Sequence, residues 1–483
     1  MNQIDHKSHT NKTLSGIKWN IIGRILSQAS VLIVGIILMR LLLPEDFGTL
    51  SMVLVFTGFL SVFTDFGLGS ALIYKKDIER SDIDTIFWVS NLLGIFLSIL
   101  LFIGSPLIAA FYNAPELVLL ASVMSLIFVI NSLGRTHITL LRKRLLFKQV
   151  FLIEIISVFG SSALAIFLAY AGKGVWALVG LHLSKGLMKS TSAWIIVNYI
   201  PSFSLSLIRF KEHWNYAYPL LGNQIFNYWT RNADRFFIGK FLGSEQLGFY
   251  SRANSLISKP TKEVVAVLGS VLFPSFSLIK DDTIRIKQIY LSAARITTFF
   301  ILPFLGVIVV FAKPLVQIGL GIKWLPIVPL LMIFPLIGAL ESFGRLSSSL
   351  FLSQGKVRSL AIINILRGSV MIIAFFVGAQ YSIQVVAWCL VIVSFIFLIP
   401  KLYYGGKSIS CSVNEILISI FPNFLAVLVT MVITYFIINN ITLFQDSIFL
   451  PVKLLLFGLL YLFVNFAIDQ SIIKLVIRTV KRL

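Results

Sequence analysis

Charge is what this sequence has least of. Only 13% of its 483 residues are Asp, Glu, Lys or Arg, against about 25% in a typical soluble domain. Acids are the scarcer sign, with 20 Asp and Glu against 41 Lys and Arg. There are two cysteines, Cys389 in an apolar run and Cys411 in a polar stretch, a placement that argues against a disulfide framework. The five histidines, His6, His9, His137, His182 and His213, form no metal-ligand spacing, and no HExxH occurs. Gly405-Gly406-Lys407-Ser408 has the ending of a phosphate-binding loop, but Lys401 stands where its first glycine is required. Nothing here points to a nucleotide-driven, metal-dependent or redox enzyme, and no cofactor is expected.

What the chain has in abundance is apolar side chain: 57% of residues, with a mean hydropathy of +0.92. A water-soluble fold of this composition would leave much of that surface in water, whereas a bilayer removes the problem. A net charge of +21 would suggest nucleic acid in a soluble protein. In a membrane protein it first marks cytoplasmic loops, so nucleic acid is not an expected partner. Met1 to Lys18 is polar without a signal-cleavage pattern, and the apolar run after it is long enough to remain as a span.

A membrane-crossing helix needs about 20 mostly apolar residues. Fourteen such runs are expected, near 19–43, 47–73, 85–107, 117–139, 150–170, 175–198, 214–242, 248–277, 289–312, 326–353, 358–379, 382–404, 415–438 and 448–468. Runs this long exclude a strand barrel. The expected fold is therefore an all-α integral membrane protein. It comprises an N-lobe over 1–200, a cytoplasmic amphipathic connector over 201–213, a C-lobe over 214–405, two further spans within 406–468, and a basic amphipathic tail over 469–483. With both termini inside, 23 of the basic residues fall in inside segments and six outside, as positive-inside orientation requires.

Two stretches align at a spacing of 200 residues. Arg40 to Gly48 (RLLLPEDFG) faces Lys240 to Gly248 (KFLGSEQLG), and Ser51 faces Ser251. Trp19-Asn20 and Trp214-Asn215 open the first span of each half, and Phe147-Lys148 and Val357-Arg358 precede the fifth. This pattern reads as a duplication of six spans. Because six is even, the copies share an orientation and are expected to be related by a pseudo-twofold along the membrane normal, an arrangement used by transporters.

The other twelve basic residues fall within the expected spans, accompanied by five acids, Asp65, Glu154, Asp234, Glu263 and Glu341, leaving a surplus of +7. A charge at mid-membrane costs at least about 2.5–3.5 kcal/mol unless it meets water or a partner. A hydrated cationic cavity accounts for the surplus, and Arg24, Lys185, Lys189, Arg231, Arg235, Lys259 and Lys262 are the candidates to line it and hold an anionic substrate. Arg135, Arg252, Arg295 and Arg345 can instead snorkel from span ends. His182, Lys185 and Lys189, spaced i, i+3, i+7, share one helix face. Arg231 and Asp234 are close enough on one face to pair. Asp65, Asp234, Glu263 and Glu341 are candidates for proton or sodium coupling. Asp65, beside Gly67 and Gly69, serves equally well as an ion-pair partner for Arg24.

Leu41-Leu42-Leu43-Pro44-Glu45-Asp46-Phe47-Gly48 and Asp65-Phe66-Gly67-Leu68-Gly69-Ser70-Ala71-Leu72-Ile73 resemble the polysaccharide transporter family, the Wzx-type flippases of the multidrug/oligosaccharidyl-lipid/polysaccharide exporter superfamily. Asn232-Ala233-Asp234-Arg235-Phe236-Phe237-Ile238-Gly239-Lys240 and Leu247-Gly248-Phe249-Tyr250-Ser251 extend the resemblance into the second half. It covers about Ser15 to Ser277 and looks most like the branch of colanic-acid-type and teichuronic-acid-type exporters. It implies two six-helix lobes in a V, alternating access, and export of an undecaprenyl-diphosphate-linked oligosaccharide across a bacterial plasma membrane. It also implies membrane lipids as partners, alongside a polysaccharide polymerase and chain-length machinery, with proton or sodium coupling. A multidrug antiporter, a lipid II flippase and a membrane glycan polymerase or ligase are the alternatives. The cationic surplus opposes export of cationic drugs, and the duplication with short outer loops opposes the polymerase.

Overall fold

The structure, a computed structural model, describes residues 26–64, 69, 72–73, 78–279, 281–440, 449–472 and 475. Among these it is helical with no strand. Ten helical stretches are long and apolar enough to cross a membrane. The other four expected spans also fall on helix. The first is represented by Leu26–Leu41 (α1), and the sixth is Val175–Ile196, which carries Lys185 and Lys189. The seventh and eighth lie along one helix, Leu207–Leu278, whose charges keep it outside the ten. That helix is broken at Gly243, where φ is 83° and ψ 179°, a conformation essentially confined to glycine. The break falls at the repeat position of Leu43, in the gap between α1 and Pro44–Thr64 (α2).

The chain divides into two compact units, Met1–Gly248 and Phe249–Leu483. In the first unit, α2 is followed by Arg80–Tyr112 (α3), Leu117–Met124 (α4), Leu126–Lys143 (α5), Phe147–Tyr170 (α6) and Val175–Ile196 (α7), and then by the first part of Leu207–Leu278 (α8). Helix α3 opens on a capping box between Glu79 and Asp82 and closes on Asn113 in the left-handed region, each satisfying backbone groups that a helix end leaves orphaned. Its 33 residues span about 50 Å at 1.5 Å per residue, more than the roughly 30 Å hydrocarbon core.

The unit is drawn together where the two copies of the repeated motif meet. A Cβ on Gly48 would stand 1.6 Å from the Ser244 carbonyl oxygen, and one on Gly248 would stand 1.9 Å from the Pro44 carbonyl oxygen. Position 48 thus meets 244 while 248 meets 44. This is the reciprocal pattern of a self-complementary contact between two copies of one motif. Lys240 then donates to the Phe111 carbonyl at the end of α3, its ammonium 4.9 Å from the Phe111 ring centre. Tyr228 donates to the Val55 carbonyl at 2.5 Å. Phe56 packs against Phe111, Tyr112 and Phe236.

The first part of the connector has no regular secondary structure, and helix resumes at Leu207. A buried carboxylate holds it. Asp84 on α3 accepts from the Tyr199 and Ser202 hydroxyls and from the Ser202 amide. Trp88 donates to the Ser202 carbonyl at 2.9 Å and stacks on Phe203. Burial, and then the bond to Asp84, push the Tyr199 hydroxyl pKa up, so the hydroxyl remains a donor at any physiological pH.

The second unit continues from α8 with Thr283–Val310 (α9), Ala312–Gly319 (α10), a 3-10 turn at Ile322–Ile327, Val328–Ser353 (α11), Val357–Gly378 (α12), Ile383–Lys407 (α13), Val413–Asn440 (α14) and Leu450–Ile468 (α15). Trp324 of the turn is fully buried. Asp282 caps α9 through the Arg285 amide at 3.0 Å, and Ser382 caps α13 through the Val385 amide. Polar bonds fix the last two helices to α9. Asn423 donates to the Arg295 carbonyl and the Thr298 hydroxyl at 2.9 and 2.8 Å. Asn465 donates to Asn423 at 3.1 Å, and Tyr461 to the Phe299 carbonyl at 3.0 Å. Arg295 pairs with Asp469. Asp469 lies just beyond α15, and its carboxyl is held below the ordinary range: burial opposes this, but Ser471 and Arg295 outweigh it.

The glycine contact makes a direct prediction. G48A or G248A should lower the detergent unfolding temperature, with a stability loss of about 1–3 kcal/mol or more from overpacking. Gly35, with nothing within 4 Å of its would-be Cβ, is the control. G35A should be neutral or raise the unfolding temperature slightly, as a helical Gly→Ala change does. Equal behaviour of the three variants in a thermal melt would refute the contact.

Candidate functional site

Two clusters of charge lie inside the helical bundles, one in each unit. In the first, α7 presents Lys185 and Lys189 to Glu154 on the neighbouring α6. Lys185 Nζ stands 2.9 Å from one carboxylate oxygen and Lys189 Nζ 3.0 Å from the other. All three side chains are half-buried, and the trio carries a net charge of +1. The i, i+4 spacing lets both ammonium groups reach one carboxylate, so an acid from another helix neutralises the pair in part. His182, the third member of the stripe, instead lines a cavity with Arg135.

In the second unit, Glu341 on α11 lies between two guanidiniums. Arg345, one turn along, is 3.1 Å away, and Arg367 on α12 is 3.6 Å away. Arg367 also donates to the Ser394 hydroxyl of α13 at 3.0 Å. Lys262 acts electrostatically on the Glu341 carboxylate, and Lys401 is coupled to Glu341, Arg345 and Arg367. One acid thus sits among four bases. The bases are exposed or part-exposed, and their surplus of positive charge over the one acid suits the cluster to attract an anion.

The remaining candidates are placed as follows. Arg24 and Asp65 lie outside the described residues. Arg231 is exposed, while Asp234 is buried, one of its oxygens accepting from the Arg235 amide at 2.8 Å. Arg235 reaches Asn232 at 3.5 Å. Lys259 and Lys262 are exposed and Glu263 is half-buried. Arg345, Arg367 and Lys401 were not among the expected site residues. Arg345 read as a span-end snorkel and Lys401 as loop charge. The 341/345 spacing was the available signal for the first; the partners on other helices had none in the sequence. Gly405 to Lys407 end α13 as helix, and Gly406 packs on the Cys411 carbonyl, so no phosphate loop exists there.

The cavity lies in the first unit, with a volume of about 220 Å³. Thr57, Ser61 and Thr64 of α2 line it on one side, and Asn131, Arg135 and His182 on another.

Helices long enough to span a bilayer, with ionised clusters between them, define a multi-pass membrane transporter. The known folds agree. Lipid II flippase MurJ in an inward closed conformation superposes with a TM-score of 0.74 at 15% identity, covering 95% of this chain and all of that one. An inward-facing multidrug resistance MATE family transporter of the MOP superfamily superposes at 0.63 and 17% identity, covering 80% of this chain and 98% of that one. Within that class the chain belongs to the family described as polysaccharide biosynthesis protein, whose pattern matches residues 37–329. Among its relatives, teichuronic acid biosynthesis protein TuaB of Bacillus subtilis (strain 168) is 28% identical over 359 residues, 72% of this chain and 73% of TuaB. Lipopolysaccharide biosynthesis protein WzxC of Escherichia coli (strain K12) is 26% identical over 377 residues, 77% and 76%. Succinoglycan biosynthesis transport protein ExoT of Rhizobium meliloti (strain 1021) is 28% identical over 288 residues, 60% and 58%.

Removing a shared acid should cost more than removing one of its bases. E341Q strands both guanidiniums. It should lower stability by about 1–3 kcal/mol, less than the 3–5 kcal/mol for fully buried pairs because the group is part-exposed. The double variant E341Q/R367Q should recover part of that loss. Thermal melts of the purified variants check the order, and a double variant worse than the single would count against the cluster.

Proposed function

We propose that this protein is a flippase that moves an undecaprenyl-diphosphate-linked oligosaccharide from the cytoplasmic to the outer leaflet of a bacterial plasma membrane. Its termini are cytoplasmic, and it works by alternating access. The observation that carries the reading is the net-cationic character of both intramembrane clusters. A diphosphate is an anion that must pass through hydrocarbon depth, and guanidinium matches its geometry bidentately. Family membership and relatives named for teichuronic acid, lipopolysaccharide and succinoglycan biosynthesis support a glycan cargo. The cationic clusters oppose a cationic-drug antiporter, and the MurJ likeness, at 15% identity, bears on fold alone. A membrane polymerase and chain-length machinery are the partners that would consume the exported unit. Proton or sodium coupling would fall to Asp65, Asp234, Glu263 or Glu341. Glu341, between two guanidiniums, is the least suited to a sodium ion.

The test is export by the chain in a host lacking its own glycan flippase. The triple variant E154Q/K185Q/K189Q removes both cations without stranding an acid, and E341Q/R345Q/R367Q does so in the other unit. Each should cut surface glycan at least about tenfold, the effect of losing one charge-assisted bond of about 1.5–3 kcal/mol, at unchanged membrane abundance. Full export by a chain carrying both sets would overturn the reading.

A further inference from the structure

Four of the hydroxyls that line the first-unit cavity have their hydrogens already committed. Thr57, Ser61 and Thr64, at i, i+4 and i+7 on α2, share one face. Thr57 donates to the Leu54 carbonyl at 3.3 Å, Ser61 to the Gly58 carbonyl at 2.7 Å and Thr64 to the Ser61 carbonyl at 2.8 Å. Ser132, also on the wall, shares its one hydrogen between the Val129 carbonyl at 2.9 Å and the Asn91 side-chain oxygen at 3.0 Å. A hydroxyl has one hydrogen and two lone pairs, so each of these groups has only accepting capacity left to offer. Arg135 donates to the carbonyl and hydroxyl of Thr64, which places a positive charge at that end.

These accepting hydroxyls, beside the donors Asn131 and Arg135 on the same lining, suit a ligand whose groups both donate and accept, as sugar hydroxyls do. Metal cations would also suit acceptor oxygens, but the Arg135 guanidinium opposes them, and no carboxylate occurs among the described lining residues. Lipid tails offer no donors. The volume, about 220 Å³, is below the roughly 300–1,000 Å³ of a pocket for a drug-sized ligand. That excludes an oligosaccharide and leaves room for one ring. We propose that this cavity is a binding site for a single sugar ring of the cargo, whose hydroxyls donate to Thr57, Ser61 and Thr64. An acidic substituent on that ring would face Arg135. The inference rests on the export reading for its physiological ligand, and it assigns sugar recognition to a place apart from the charge clusters.

The experiment uses the full chain in detergent and follows the unfolding temperature against methyl glucoside, methyl glucuronide, sodium pyrophosphate and sodium chloride. Saturable protection by at least one glycoside is expected. S61A and T57V should each raise its half-saturation by about 2- to 10-fold, the value of one lost hydrogen bond, while leaving pyrophosphate protection unchanged. Should either variant melt early without ligand, S61T takes its place: it keeps the helix bond but puts a methyl into the cavity, and the same weakening is expected. Absence of protection by both glycosides, or variants that bind them as well as the parent does, would overturn the proposal. Sodium chloride protection abolished by S61A would also overturn it, in favour of a cation site. Export separates the two readings. A chain that exports glycan yet is protected by neither glycoside loses only the sugar pocket. A chain protected by glycosides that exports nothing loses only the flippase assignment.

Discussion

The first unit depends on a place where no side chain fits. Gly48 and Gly248 bring the ends of two helical segments so close that each meets the other's carbonyl backbone. Side-chain packing tolerates small changes because rotamers adjust, whereas backbone against backbone has no such slack. With that contact fixed, Lys240 falls at the end of α3 and Tyr228 falls against α2, and the aromatic cluster around Phe56 follows. The duplication seen in the sequence is thus more than a record of ancestry, since its two copies are the surfaces that meet.

A second constraint is electrostatic. Hydrocarbon does not tolerate isolated charge, and the chain meets this by sharing: one acid serves two bases, at least one of them on another helix. Glu154 serves two lysines, and Glu341 serves two arginines. Sharing anchors neighbouring helices and leaves each cluster short of full neutrality, and that shortfall is what an anionic headgroup can use. Under the proposed function the same side chains would carry both structural and transport roles, and mutants must be designed to keep the charges balanced.

Much of this was legible in the chain itself. Span positions follow from each residue's own hydropathy, and helix lies along the described parts of the expected runs, ten of them long and apolar enough to cross a membrane. The break at Gly243 was visible as the end of one run and the start of the next. The cationic surplus was visible as a count. What was hidden is partnership. Nothing in the one-dimensional pattern says that Lys185 turns to α6 for Glu154, or that Arg367 on α12 approaches Glu341. Nothing in the sequence singles out Asp84, yet it is buried and holds the connector through Tyr199 and Ser202, more than a hundred residues away. The cavity hydroxyls carried no signal either, because Ser and Thr are common in helices that approach one another closely.

The asparagine network on α9 has a bearing on how the protein is made. Arg295 and Thr298 find their partner in Asn423, up to 128 residues further along, and Phe299 finds Tyr461 162 residues further along. At about 5–20 residues per second of synthesis, the second interval is about 8–30 s. During it α9 is already made, its hydroxyls bonded to its own backbone at Ala293, Ala294 and Arg295, while the Arg295 side chain still waits for Asp469. The final pair of helices then acts as a latch that closes the second unit, and the ribosome's pace sets how long it stays open.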